Sequence, residues 1–132
     1  MIEINNLTKT KIDDDFLEKI GEGILKKEKK SGLLISVVFV GQSKIKETNK
    51  EYRGKDKSTD VLSFFYGDSA EIMICPEIVR KAGNFKKELV KVYIHGILHI
   101  LGYDHEKSLK EERIMQEKQD YYLLNSKQYV KK

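Results

Sequence analysis

The feature that most constrains this chain is an apolar run, residues 92–101, that carries two histidines and is followed closely by a third. His95 and His99 stand four residues apart, so a helix through the run places their imidazoles one turn apart on one side. Gly102 is the expected helix end, because glycine adopts a left-handed conformation without steric strain. The chain can then turn back and bring His105 toward the same point. Three imidazoles with an open fourth position predict a catalytic zinc site rather than a structural one.

Each histidine taken alone is more simply explained as a packed core residue. Together they fit H-x-x-x-H-x-x-G-x-x-H, the frame of the metzincin zinc proteins. This agreement predicts one Zn²⁺ per chain, held by His95, His99 and His105, with nickel or another late transition metal as alternatives in vitro. Cys75 is expected to be a buried strand residue and not a fourth ligand, since the histidine frame is complete without it.

The residue after the first histidine departs from the metzincin proteases. Those proteases have a glutamate there, which takes the proton of the zinc-bound water, whereas this chain has Gly96. Loss of such a base lowers the rate by roughly 10² to 10⁴, which disfavours a peptidase. A close approach of backbone or substrate would explain a glycine here, and so would simple helix packing.

Length and composition fit one domain over residues 1–132 with a single core, since 39% of the residues are hydrophobic. The formal net charge of +4 comes mostly from lysine. It fits an acidic partner such as RNA, or simply a lysine-rich solvated surface. The lone cysteine excludes an internal disulfide and fits a reducing compartment. No membrane span or signal peptide is evident, so we expect a cytoplasmic protein with no membrane partner.

Hydrophobic periodicity predicts an α+β fold in which a small mixed sheet of about four strands packs with about five helices. The second strand is expected to be central and covered on both faces, and its strand–helix–strand order predicts a right-handed parallel crossover. The predicted strands are 2–5, 33–40, 61–65 and 70–75. The predicted helices are 13–30, 43–53, 76–82, 85–101 and 109–124. Aspartates are expected to cap the first of them, and Ser43 the second. Residues 125–132 are expected to form a frayed tail.

A polar, charged loop at residues 53–60 supplies the candidate substrate contacts. The planar guanidinium of Arg53 can bind phosphate in a bidentate manner, which lysine cannot. Lys55 and Lys57 follow it, and Ser63 lies on the next strand. The alternatives are a solvated cation for each basic residue and a strand-packing role for Ser63. Further lysines on the first turns of the histidine helix could border the same groove: Lys86, Lys87 and Lys91.

Two acidic residues are candidates for supporting roles. Asp104 lies between Gly102 and His105, where its carboxylate could accept a hydrogen bond from a ligand imidazole and fix its tautomer. A plain turn role is the alternative. Glu71 is the acidic residue that we nominate as a proton acceptor in place of the missing glutamate.

Residues 95–105 read HGILHILGYDH, and residues 52–64 read YRGKDKSTDVLSF. Together these motifs resemble the YbeY family of ribosomal RNA maturation endoribonucleases, and the resemblance covers nearly the whole chain. It implies a metal-dependent enzyme that cuts single-stranded RNA in small-subunit ribosomal RNA maturation and ribosome quality control. It also implies His95, His99 and His105 as zinc ligands and Arg53 as a functional residue. Phe65, where the family commonly has proline, and AEI at 70–72, where it has glycine, an acidic residue and isoleucine, depart from the pattern.

Three hypotheses follow from these patterns. The first is the zinc endoribonuclease, with single-stranded RNA, ribosomal RNA and the small ribosomal subunit or its proteins as partners. The second is a metal-stabilised ribosome-assembly factor that binds RNA without cutting it. The third is a metallopeptidase, which rests on the histidine frame alone.

Overall fold

The computed structural model describes residues 1–103 and 107–126. Within these residues the chain forms four strands and five helices. They confirm the α+β fold predicted from the sequence. In chain order they are β1 (Ile2–Asn6), α1 (Asp14–Lys27), β2 (Leu34–Phe39), α2 (Gln42–Arg53), β3 (Val61–Phe65), β4 (Ser69–Ile74), α3 (Pro76–Arg80), α4 (Phe85–Ile100) and α5 (Leu109–Asn125).

The strands form one mixed sheet in the order β1-β2-β4-β3. β2 runs parallel to β1 and to β4, whereas β3 runs antiparallel to β4. The parallel pairing of β1 and β2 is the one expected from their connection through a helix. β3 is left as an edge strand of the sheet, a position that governs the candidate site.

Alternate side chains of the sheet point to two separately covered faces. One face packs against α1 and α4, with α5 lying on α4, and we call it the α4 face. The other is covered by α2 through Ile45, and we call it the α2 face. β2 is thus buried on both sides, as its continuous apolar sequence predicts. The α4 face carries Ile35, Val37, Phe39, Ala70, Ile72 and Ile74, and the α2 face carries Val38, Val40, Met73 and Cys75.

The main differences from the predicted helix ends are in α1, α2 and α3. The third helix ends at Arg80 rather than at residue 82. Asp13 caps α1 as expected, accepting a hydrogen bond from the Phe16 N–H at 3.1 Å. The helix nevertheless ends at Lys27 rather than at residue 30, because Lys29 has a positive φ of 60°. α2 begins at Gln42 with Gly41 as its N-cap, so the prediction that Ser43 caps this helix is wrong.

The described C-terminal end of the chain is helical. α5 continues to Asn125, and the Ser126 hydroxyl donates to the carbonyl of Leu123 at 2.9 Å. Helix therefore reaches into the segment expected to fray, and residues 127–132 lie outside the described part. Among the described residues, no helix combines the length and apolar character that crossing a bilayer requires.

Candidate active site

The buried side of α4 fixes where its two histidines point. Asn84 caps the helix by accepting the Lys87 N–H at 3.0 Å. The apolar residues of the second half are buried against the sheet, α1 and α5, so the helix cannot rotate about its axis. His95 is half-buried and His99 is exposed. Their rings are near-parallel, with centroids 6.3 Å apart and an interplanar angle of 23°, which confirms that they share one side of the helix.

Gly102 ends α4 in the way its sequence position predicts. Its φ is +103°, and its N–H donates to the carbonyl of His99 at 3.2 Å. The N–H of Tyr103 donates to the carbonyl of Leu98 at 3.1 Å. These two bonds form a Schellman motif, which reverses the chain immediately after the second histidine.

Each imidazole is held by an acceptor on a neighbouring segment. Nδ1 of His95 lies 2.9 Å from Oε1 of Gln119, and Nδ1 of His99 lies 3.3 Å from the carbonyl oxygen of Tyr103. Both partner atoms are oxygens that accept, so Nδ1 is the donor in each of these hydrogen bonds. Orienting acceptors of this kind are typical of histidines that bind a metal.

Gln119 is a functional candidate that the sequence interpretation missed. It is 6% exposed, a low value for a glutamine. Its sequence signal is its place on the buried stripe of α5, between Met115 and Tyr122. A polar residue on such a stripe needs a buried partner, and α4 supplies it in His95.

A partly buried carboxylate anchors the segments that carry these acceptors. Glu28 accepts hydrogen bonds from the Tyr103 hydroxyl at 2.7 Å and from Lys118 Nζ at 3.1 Å, and also from the hydroxyl of Tyr122. Burial opposes ionisation of Glu28, but the hydrogen bonds from Tyr122, Tyr103 and Lys118 outweigh it and hold its pKa below the ordinary value. Glu28 therefore ties the end of α1 to the turn after α4 and to α5.

Gly96 is explained by the contact between α4 and the sheet. A Cβ at this position would lie 3.2 Å from Cγ2 of Ile72 and 3.4 Å from Oγ of Ser63. Of the two explanations left open by the sequence, helix packing against the sheet accounts for this glycine. The same contact places Ser63 beside the turn of α4 that carries His95.

The basic loop begins on the opposite side of β3. Arg53 is the last residue of α2, and Gly54 caps the helix with φ of +69°. The preceding Tyr52 ring packs edge-on against Phe64, at 5.7 Å between centroids. Asn49 holds the loop by donating from Nδ2 to the carbonyl of Lys57 at 2.9 Å. Arg53, Lys55 and Lys57 are all exposed.

The structure thus gathers some of the predicted site residues and separates others. His95, His99 and Ser63 come together on the α4 face. Arg53, Lys55 and Lys57 follow the end of α2, which covers the other face. Asp104 and His105 lie outside the described residues, within which no three metal-ligating side chains cluster.

Three further sequence candidates are placed away from the histidines. Glu71 pairs with Phe64 on β3, and its carboxylate accepts from the Tyr66 hydroxyl at 3.5 Å on the α2 face. The sheet therefore lies between Glu71 and α4. Cys75 is fully buried on the α2 face, where burial raises the pKa of its thiol. Lys86 Nζ lies 5.0 Å from the centre of the Phe16 ring, so this lysine faces α1.

Comparison with known proteins gives one consistent family. The family model described as Endoribonuclease YbeY matches residues 3–127. The chain is 46% identical to Endoribonuclease YbeY of Thermotoga neapolitana over 80% of this chain and 74% of that protein. It is 36% identical to Endoribonuclease YbeY of Persephonella marina over 89% and 86% of the two chains. The solution structure of a Thermotoga maritima protein, 37% identical, superposes with a TM-score of 0.68 and covers 96% of this chain and 89% of its own. On these matches, the chain belongs to the YbeY endoribonuclease family.

Proposed function

We propose that this protein is a zinc-dependent endoribonuclease that cuts single-stranded RNA in small-subunit ribosomal RNA maturation and ribosome quality control. Membership of the YbeY family makes it an RNA-cleaving, metal-dependent hydrolase. The observation that supports the proposal most directly is the pair of parallel imidazoles of His95 and His99, each oriented through Nδ1.

The donor set fits a late transition metal such as zinc. Nε2 of His95 and of His99 are the atoms that would bind it, and the sequence frame adds His105 as the third ligand. A zinc ion bound there would polarise a phosphoryl oxygen and lower the pKa of its water. We assign to Asp104, the residue before His105 in the sequence, the role of supporting a ligand imidazole.

The chain's own residues perform the remaining tasks. Gln119 and the Tyr103 carbonyl keep the two imidazoles in one tautomer and orientation. Arg53 binds and orients a phosphate of the substrate through its guanidinium, and its positive charge stabilises the charge that develops there. Lys55 and Lys57 hold neighbouring phosphates, and Ser63 offers a hydroxyl to RNA lying beside α4.

A cleavage assay combined with metal analysis tests this proposal. Purified wild-type protein is expected to carry about one zinc per chain and to cut single-stranded RNA in preference to duplex. His99→Ala should lose zinc and cleavage together, whereas Arg53→Ala should keep zinc and lose cleavage. Arg113→Ala, an exposed arginine on α5, is the matched control and should behave as wild type. Full cleavage by a zinc-free His95→Ala/His99→Ala/His105→Ala protein would contradict the proposal.

A second candidate is an RNA-binding assembly factor that does not cut. The separation of Glu71 from α4 favours it, because the sheet keeps this proposed proton acceptor away from the histidines. If this candidate is right, protein purified free of contaminating nuclease will bind RNA but will not cut it. Peptidase action is disfavoured further, since even the Cβ of a glutamate at position 96 would lie only 3.2 Å from Cγ2 of Ile72.

A further inference from the structure

Three exposed aromatic rings border the outer edge of β3. Tyr52, Phe65 and Tyr66 are 67%, 58% and 61% exposed. In the described part of the chain one other aromatic side chain is exposed, Tyr121 on α5 at 42%. Such rings usually bury most of their large apolar area, so three at one sheet edge indicate a binding surface. We call Tyr52, Phe65 and Tyr66 the β3 rim.

Two rings of the β3 rim are held in place by contacts with neighbouring side chains. Tyr52 packs edge-on against Phe64, with an interplanar angle of 69°. The Tyr66 hydroxyl reaches the Glu71 carboxylate at 3.5 Å, and the Tyr66 N–H donates to the carbonyl of Ser69 at 2.8 Å. Rings that are already held in place lose little conformational freedom on binding, which favours affinity.

Three cationic residues lie on the loop next to Tyr52, while the carboxylate of Glu71 lies beside Tyr66. Arg53 directly follows Tyr52, and Lys55 and Lys57 are exposed on the same loop. Asp56, the acidic residue between them, faces Lys50 at 4.0 Å. Exposed rings among positive charges are typical of grooves that bind single-stranded nucleic acid. The large exposed aliphatic side chains expected in a protein interface lie elsewhere, at Met1, Leu7, Leu109 and Leu124.

The β3 rim is continuous with the histidine site through β3 itself. Ser63 lies against α4 at Gly96, next to His95. Phe65 is two residues further along the same face of the strand, about 7 Å away. Tyr66 and Tyr52 lie beyond it on the α2 face, where the basic loop begins. A chain crossing the edge of β3 would therefore pass from the histidines over the β3 rim to Arg53.

We propose that the β3 rim stacks the bases of single-stranded RNA next to the bond to be cut, while Arg53, Lys55 and Lys57 bind its phosphates. This inference rests on the proposed function and adds to it the surface that selects unpaired strands. Bases in a duplex are already stacked on one another, so they cannot offer their faces to these rings.

Fluorescence anisotropy with a labelled single-stranded RNA tests the inference. His99→Ala serves as the parent protein so that the RNA is not consumed. Tyr52→Ala, Phe65→Ala and Tyr66→Ala should each weaken binding about 5- to 150-fold, the loss expected for one stacked base. Tyr52→Phe and Tyr66→Phe, which keep the ring, should retain most of the affinity. Tyr121→Ala is the matched control and should bind as the parent does.

An abasic oligonucleotide separates stacking from phosphate binding. It should bind the parent more weakly than normal RNA, and the aromatic substitutions should then have little further effect. Parent-like RNA affinity in the triple variant Tyr52→Ala/Phe65→Ala/Tyr66→Ala would overturn the inference, as would an equal loss in Tyr121→Ala. If either result is found while wild-type protein cuts RNA, the proposed function is kept and only the role of the β3 rim is rejected. If wild-type protein neither binds nor cuts single-stranded RNA, the proposed function fails as well.

Discussion

At position 96 the chain carries glycine where α4 crosses the sheet so closely that a Cβ would lie only 3.2 Å from Cγ2 of Ile72. The sequence showed that the residue was unusual, since a helix-disfavouring glycine stands between two histidines of the frame. It could not show the reason, because Ile72 and Ser63 are distant in sequence and meet Gly96 only in the folded chain.

Gly96→Ala is expected to destabilise the protein. Alanine gains about 1 kcal/mol of helix propensity, but overpacking against Ile72 costs about 1 to 3 kcal/mol, so we expect a net loss of about 1 kcal/mol. The midpoint of urea unfolding measures it. Gly32→Ala is the control, because nothing lies within 4 Å of a Cβ there. If Gly96→Ala and Gly32→Ala unfold at the same urea concentration, Ile72 and Ser63 can move to accept the methyl group, and the expected destabilisation is wrong.

Gln119→Leu is expected to weaken metal binding without unfolding the protein. The substitution removes the acceptor of the His95 Nδ1 proton, and loss of such an orienting partner typically lowers metal affinity 10- to 100-fold. Competition between the protein and a Co²⁺ or Zn²⁺ indicator measures the affinity. Gln116→Leu, on the exposed side of the same helix, should leave it unchanged. Equal affinities in both variants would exclude a role for Gln119 at the metal.

At the scale of elements, Glu28 joins three segments that the sequence treats separately. Its partners stand 75, 90 and 94 residues away along the chain. The predicted α1 helix ran through this position, and nothing in local periodicity marks Glu28 as partly buried. Only the packing of α1, α4 and α5 brings the two tyrosines and the lysine to one carboxylate.

Glu28→Gln is expected to destabilise the fold at neutral pH and less so in acid. The pKa of Glu28 is lowered in the folded state, so its charged form stabilises the protein above the unfolded-state pKa of about 4.3. That contribution is lost as pH falls through the folded pKa. We expect a loss of about 1.5 to 3 kcal/mol at pH 7, the range for hydrogen bonds to a charged group. Urea unfolding at neutral and acidic pH measures the difference between variant and wild type.

The matching control for Glu28 is Glu117→Gln, an exposed glutamate on α5. It should change the free energy of unfolding little at either pH. A Glu28→Gln difference that stays constant from neutral pH to below pH 4 would show that ionisation of this carboxylate does not contribute.

At the scale of the whole molecule, the sheet order decides which groups can act on one substrate. β3 lies at the edge, so the histidines of α4 and the basic loop after α2 approach the same strand from opposite faces. This arrangement predicts that the loop contributes electrostatic binding rather than metal ligation.

RNA affinity should therefore depend steeply on salt, and the loop cations should account for part of that dependence. For single strands, log affinity falls with log salt with a slope of about −0.7 per phosphate contact. Lys55→Ala and Lys57→Ala should each reduce the magnitude of this slope by about 0.7. Lys110→Ala, on α5, should leave it unchanged. Identical slopes in all three variants would place the RNA elsewhere.

Local sequence patterns were enough to predict the α+β fold, most element boundaries, the helical histidine pair and the glycine that ends its helix. These features depend on local periodicity, capping and backbone conformation, which neighbouring residues control. The folded chain was needed to show that Gly96 is a packing residue, that Gln119 and Tyr103 orient the imidazoles, and that Glu71 lies across the sheet. Each of these depends on contacts between residues far apart in the chain, whose partners no local pattern specifies.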